Sequence, residues 1–261
     1  MVAGLFSGKG SDKAALKAAR KAAQQVLHQK VQPILSMVMG KDPGSSNVGF
    51  VLHMASIVRN WLYSRFTSVA AGQKRIHIDY VVAALGALCG YECFMTARRY
   101  LPTPQMGEGM TPIAIVKGAN GDSYLFGDWI NQIIGAMLAG IIDAAGLNDR
   151  FDYSDIIKRT AERVGGEEYW HVNFPNYGLI TDAPKSLVQE FKHIETFETV
   201  YAITPVPPEF RWRLRPCIYA AAFVMLLEDT KTAPSNVELN PHVVVRLFTE
   251  CFYPCAHFEW E

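Results

Sequence analysis

The chain has 261 residues, 49% of them hydrophobic, and its 25 basic side chains balance 25 acidic ones. A chain of this length buries a substantial core, and the neutral balance gives nothing to recommend nucleic acid as a partner. Five cysteines are an odd count, which without a secretory apolar run points to free thiols in a reducing, cytoplasmic setting.

Charge is unevenly spread. Residues 1–41 hold Lys9, Lys13, Lys17, Arg20, Lys21, Lys30 and Lys41 against Asp12 alone, which leaves the remainder with a formal charge of minus six. Such a basic amphipathic end can lie on an anionic surface or an acidic partner, although a solvated helix face is the commoner cause. Ser11 or Asp12 can cap a helix in which Leu16, Ala19, Ala23, Val26 and Leu27 recur at three- and four-residue spacing. Pro33 is expected to bend or break it. After the turn cluster at 41–46, a second helix is expected from Val48 to Ala71, with Met54, Val58, Trp61, Leu62 and Phe66 as its stripe. A third runs from Ile78 to Tyr100 and stops before Pro102.

Residues 104–131 then break the helical pattern. The β-prone runs Ile113–Val116 and Ser123–Phe126 flank Asn120-Gly121, which suits a tight primed turn, and Asp128 is placed to cap a helix from Trp129. That helix reaches Gly146, and its small residues Gly135, Ala136, Ala139 and Gly140 invite another backbone. A turn at 147–153 leads to a polar helix from Ser154 to Val164, ended by Gly165-Gly166. The aromatic loop 167–178 follows, then a helix from Pro184 to Phe197 and one opened by Pro208 towards Asp229, with Pro216 an expected kink or later start. Asn240-Pro241 opens a last helix, to Pro254. The reading is a mainly α, multi-helix globular fold of roughly seven to nine helices with one β-hairpin near 113–126. Residues 1–103 form an N-terminal helical region, and 104–261, the hairpin and C-terminal helices, pack with it as one domain. The two most apolar stretches carry Asn131, Gln132 and Asp143, or Asp79 and Glu92, so neither is a clean bilayer span of about 20 residues.

Motifs exclude more chemistry than they support. Gly121-Asp122-Ser123 resembles the first block of GDS-type serine esterases, and residues 146–149 resemble their GxND block. That resemblance implies a DxxH block, yet none of the seven histidines has an aspartate three positions before it, and a serine without its base is inert. Two E-x-x-H pairs, Glu168 with His171 and Glu190 with His193, lie 22 residues apart, too close for the four-helix geometry of a di-iron centre. Cys89 with Cys93 and Cys251 with Cys255 form C-x3-C pairs, the second with His257 nearby. Structural zinc prefers C-x2-C, and an apolar helix favours buried thiols, so neither metal nor cofactor is implied. Residues 4–11 echo a phosphate loop but lack its spacing.

Aromatic and polar crowding remains. Tyr169, Trp170, His171, Phe174 and Tyr177 suit a loop that presents rigid rings, and Arg213 stands among Arg211, Trp212 and Arg215 as a receptor for a carboxylate or phosphate. The preferred reading is a helical protein that binds another protein, as an adaptor, inhibitor or immunity-type factor would, through Tyr124, Asp128, Asn131, Trp170, His171, Tyr177 and Arg213. The alternative is a hydrolase-like enzyme with His171, Asp122 or Asp128 as acid or base between the hairpin and the aromatic loop.

Overall fold

The computed structural model describes residues 8–39, 42–70, 73–99, 113–172, 183–192, 208–232 and 240–260. Helical periodicity is realised almost throughout: α1 (Gly8–Met39), α2 (Gly44–Arg65), α3 (Ile78–Arg99), α4 (Asp128–Ala144), α5 (Ser154–Glu162), α6 (Ala183–Phe191), α7 (Pro208–Thr232) and α8 (Pro241–His257). Two antiparallel strand pairs are interposed, β1 (Thr67–Ala70) with β2 (Gln73–Ile76), and β3 (Ala114–Lys117) with β4 (Ser123–Phe126).

The centre is α3, buried at every position from Val81 to Phe94. A helix apolar on all sides has no solvent face and must be enclosed; α8, α7 and α6 supply most of the enclosure. Gly86 and Gly90 set how closely. A Cβ on either would fall against the carbonyl of Phe248 or Phe252, so the α3 and α8 backbones touch where only glycine fits. By length and hydropathy α3 passes as a membrane span, but its apolar window is largely buried inside the protein. Its apolar surface is matched by other helices instead.

Helix α1 has two unlike halves. Residues 15–26 are exposed at every position, while Val31, Ile34 and Leu35 are fully buried. Lys30 joins this inner half to the body, its Nζ 2.7 Å from Glu228 Oε1 and donating to Ala144 O at 2.6 Å, the last carbonyl of α4. Pro33 lies inside the continuous helix, where the packing of Val31, Ile34 and Leu35 on either side offsets the missing hydrogen bond.

Three boundaries differ from expectation. Helix α2 ends at Arg65, and the segment expected to continue it is a hairpin closed at its base by His77 N–H donating to Phe66 O at 2.9 Å. Pro216 sits within α7, which runs without a break from Pro208 to Thr232, so it does not delay the start. Asp128 does not precede its helix: it is the first residue of α4, and Gly127, at a positive φ of 136°, occupies the cap position. One apolar cluster joins residues from Val31 to Trp260.

Candidate functional site

Hairpin β3/β4 is anchored by one strand and exposed by the other. In β4, Tyr124 and Leu125 are buried, whereas β3 is exposed from Ile115 to Lys117. Its connection is a five-residue loop, 118–122, not a two-residue primed turn. Gly121 N–H donates to Gly118 O at 3.0 Å, and only Gly121 takes positive φ, +85°. Asn120 shapes the loop with its side chain, accepting from Asp122 N–H and donating to Asp122 Oδ2, both at 3.0 Å. Gly118 packs on Gly165, so the loop rests on the cap of α5.

Edge polarity follows from the ladder. Gly118 N–H donates to Asp122 O at 2.8 Å, and antiparallel bonding alternates, so Tyr124 pairs with Val116 while Ser123 and Leu125 point their backbone groups away from β3. Both outward carbonyls are taken. Glu259 N–H donates to Ser123 O at 2.9 Å, His257 Nδ1–H donates to Leu125 O at 2.6 Å, and Tyr124 bridges Phe258. By the same alternation Ile115 and Lys117 direct their N–H and C=O groups to the opposite edge, to which nothing is bonded among the described residues.

The expected aromatic loop begins as a single 3-10 turn, Glu167–Trp170. Tyr169 is buried, its hydroxyl donating to Pro254 O at 2.9 Å, and its ring lies 4.7 Å from that of Tyr124. Trp170 is half-buried, with ring centroids 4.9 Å from Phe258 and 5.8 Å from Trp260. Tyr124 is fully buried. The two rings read from the sequence as exposed contacts therefore fasten the hairpin and C-terminal segment together, because each finds aromatic partners supplied by distant parts of the chain.

The other sequence candidates scatter. His171 is exposed, its N–H donating to Glu168 O at 3.1 Å and its carbonyl accepting from Arg163. Asp128 and Asn131 are exposed on the first turn of α4, and Arg213 is half-buried on α7, its carbonyl accepting from Cys217 Sγ. Tyr177 lies outside the described residues. Asp122 is the one acid–base candidate in a cavity, a cleft of about 460 Å³ that it shares with Arg98, Lys185, Lys192 and Glu259, and His171 does not line it. The expected constellation of His171 with Asp122 or Asp128 does not line that cavity.

Two buried titratable side chains, Glu250 and His257, take roles that their spacing in the sequence did not disclose. Arg159 of α5 grips the buried Glu250 of α8 with two hydrogen bonds, 2.7 and 3.1 Å, and Arg246 adds Asp155. The hydrogen bonds to Glu250 raise the Arg159 pKa further, which keeps the guanidinium charged. His257 is enclosed between Phe126, stacked at 4.7 Å, and Tyr253; burial lowers its pKa to about 4. It is neutral at pH 7. Since Nδ1 donates to Leu125, Nε2 is a bare acceptor with no partner among the described residues. All five cysteines are buried; burial drives the thiols of Cys89, Cys217, Cys251 and Cys255 up, which leaves those four poor nucleophiles. Among the described residues no group of three His, Cys, Asp or Glu side chains converges as a metal site would.

No protein-family model matches the chain, and no curated protein or solved structure matches it either.

Proposed function

We propose that the protein binds another protein by accepting an extended segment as an added strand on the outer edge of β3. The observation that carries this is the asymmetry of the hairpin. One edge is sealed by His257 and Glu259, whereas the other presents backbone groups that have no partner among the described residues, flanked by Ile115 and Val116, which are 62% and 42% exposed. Consecutive apolar side chains on both faces of an exposed edge strand are what folded proteins usually avoid, because they invite strand pairing. Here they mark the contact. Main-chain bonds to Ile115 and Lys117 supply affinity, and contacts with the exposed Ile115 and Val116 side chains supply selectivity. Tyr124, Tyr169 and Trp170 support the edge from beneath.

Ile115→Pro removes the outward N–H without touching the ladder to β4. Peptides selected against the full chain from a random library are titrated onto wild type and this variant. The expected outcome is a loss of about tenfold or more in affinity, with an unchanged melting temperature. Selected peptides that bind both proteins equally would overturn the reading.

A further inference from the structure

The strand-binding reading leaves the 460 Å³ cleft on the sealed side of the hairpin without a role. One wall is α6 and the residue that follows it, where Lys185, Gln189 and Lys192 stand at i, i+4 and i+7 and Lys192 N–H still donates to Val188 O at 2.8 Å. Arg98 enters from the last turn of α3. The rest of the lining is Gly121, Asp122 and Ser123 of the hairpin and Phe258, Glu259 and Trp260 of the C-terminal segment. Arg98 and Lys185 are held in place by groups that leave their charge uncancelled. Arg98 Nη1 donates to Trp260 O at 2.7 Å, one bond from a guanidinium with five N–H donors. Lys185 Nζ rests 4.8 Å above the Phe258 ring and 5.6 Å from that of Trp170. Among the described residues none of Arg98, Lys185 and Lys192 forms an ion pair, although Asp122 and Glu259 line the same cleft.

We propose that this cleft binds a small phosphorylated polyol, its phosphate held by Arg98, Lys185 and Lys192 and its hydroxyls by Asp122 and Glu259. Like charges gathered in a cleft focus a positive potential that an anion relieves. A phosphate monoester brings a charge of roughly −1.5 to −2 at pH 7 and three strong acceptor oxygens, which suits three cations better than a single carboxylate does. The two carboxylates in the lining, Asp122 and Glu259, repel a second anionic group and accept from hydroxyls, so they orient the remainder of the ligand. Phe258 and Trp260 are almost wholly buried by one another and by Trp170, so the cleft offers no free ring on which a nucleobase could stack. This favours a polyol over a nucleotide. The cleft volume lies in the usual range for small-molecule sites.

The same chemistry occurs in free sugar phosphates and in phosphoinositide headgroups, and the test separates them. Calorimetry with the full chain measures glucose 6-phosphate, inorganic phosphate and glucose, and flotation measures phosphatidylcholine vesicles with and without phosphatidylinositol 4-phosphate. Glucose 6-phosphate is expected to bind more tightly than inorganic phosphate, with glucose silent. The Lys185→Ala/Lys192→Ala double variant, and Lys192→Glu alone, are expected to lose about tenfold or more of that affinity while melting as wild type does. Glucose 6-phosphate binding without vesicle retention identifies a free metabolite, and retention only on the phosphoinositide vesicles, lost in the lysine variants, identifies a headgroup. Neither soluble binding nor vesicle retention, equal binding of phosphate and glucose 6-phosphate, or affinities unchanged in both lysine variants would overturn the proposal. Such failure leaves the β3 reading intact, because β3 does not line the cleft.

Discussion

The two hairpins are built from strands of equal length, yet they are held by opposite means. Hairpin β1/β2 leaves Val69 69% exposed; the bonds at its base, Phe66 O with His77 N–H and Ser68 Oγ with His77 Nε2 at 2.9 Å, are local to the segment between α2 and α3. Hairpin β3/β4 buries Tyr124 and Leu125 and borrows hydrogen bonds from residues 257–259, more than 120 positions away. A two-stranded ribbon is marginal alone in water. The comparison teaches that the first persists as a cap between two helices, and the second as the outer layer of the core. Only the second combines a rigid inner strand with an exposed outer one, which is why the binding reading rests there.

The sharpest way to break the comparison is to remove its deepest anchor. Tyr124→Ala vacates a fully buried ring packed on Tyr169 and Phe258, and is expected to cost on the order of 3 to 5 kcal/mol in denaturant unfolding. A cost below about 1 kcal/mol would show that β4 is not anchored by its packing.

Next in size is an acid dependence that only the β3/β4 side should show. The ordinary histidine pKa of 6.5 is lowered to about 4 at His257, chiefly by burial. Between these values the unfolded chain takes up a proton that the folded chain refuses, so stability falls as pH drops through that interval and the contribution is level above it. The full effect is on the order of 3 kcal/mol. Other carboxylates titrate nearby, so the measurement is the wild-type minus His257→Gln difference in unfolding free energy at pH 7 and at pH 4.5. A difference independent of pH would show that His257 is not held neutral.

The smallest expected effect lies at the other hairpin. Val69→Ala removes a side chain that is already mostly in water, so the change in stability should stay within about 0.5 kcal/mol. Amide exchange sharpens the contrast: Tyr124 and Leu125 should exchange more slowly than Ser68 and Val69. Comparable protection would mean that β1/β2 has a packing partner of its own.

By itself the sequence determined the helical character of the chain, the position of α3 to within one residue, the existence of β3/β4 and the positive-φ glycine, Gly165, in the turn after α5. These follow from local periodicity and from residues whose backbone preferences act over a few positions. Tertiary structure decided the rest. The strands Thr67–Ala70 and Gln73–Ile76 were hidden by the expected continuation of α2. Pro33 and Pro216 lie within helices because buried neighbours outweigh one absent hydrogen bond. Likewise Trp170 and Tyr124 are rings of one kind in the sequence, and whether they meet solvent or Phe258 is set by a segment more than 80 residues further on. The cleft gives the same lesson: Lys185, Gln189 and Lys192 show their common face in their spacing, but Arg98 joins them only because the end of α3 and the C-terminal segment are brought together by Arg98 Nη1 and Trp260 O. Periodicity is a property of neighbours along the chain, whereas burial, edge pairing and convergence of charge are properties of neighbours in space, and one chain records only the first.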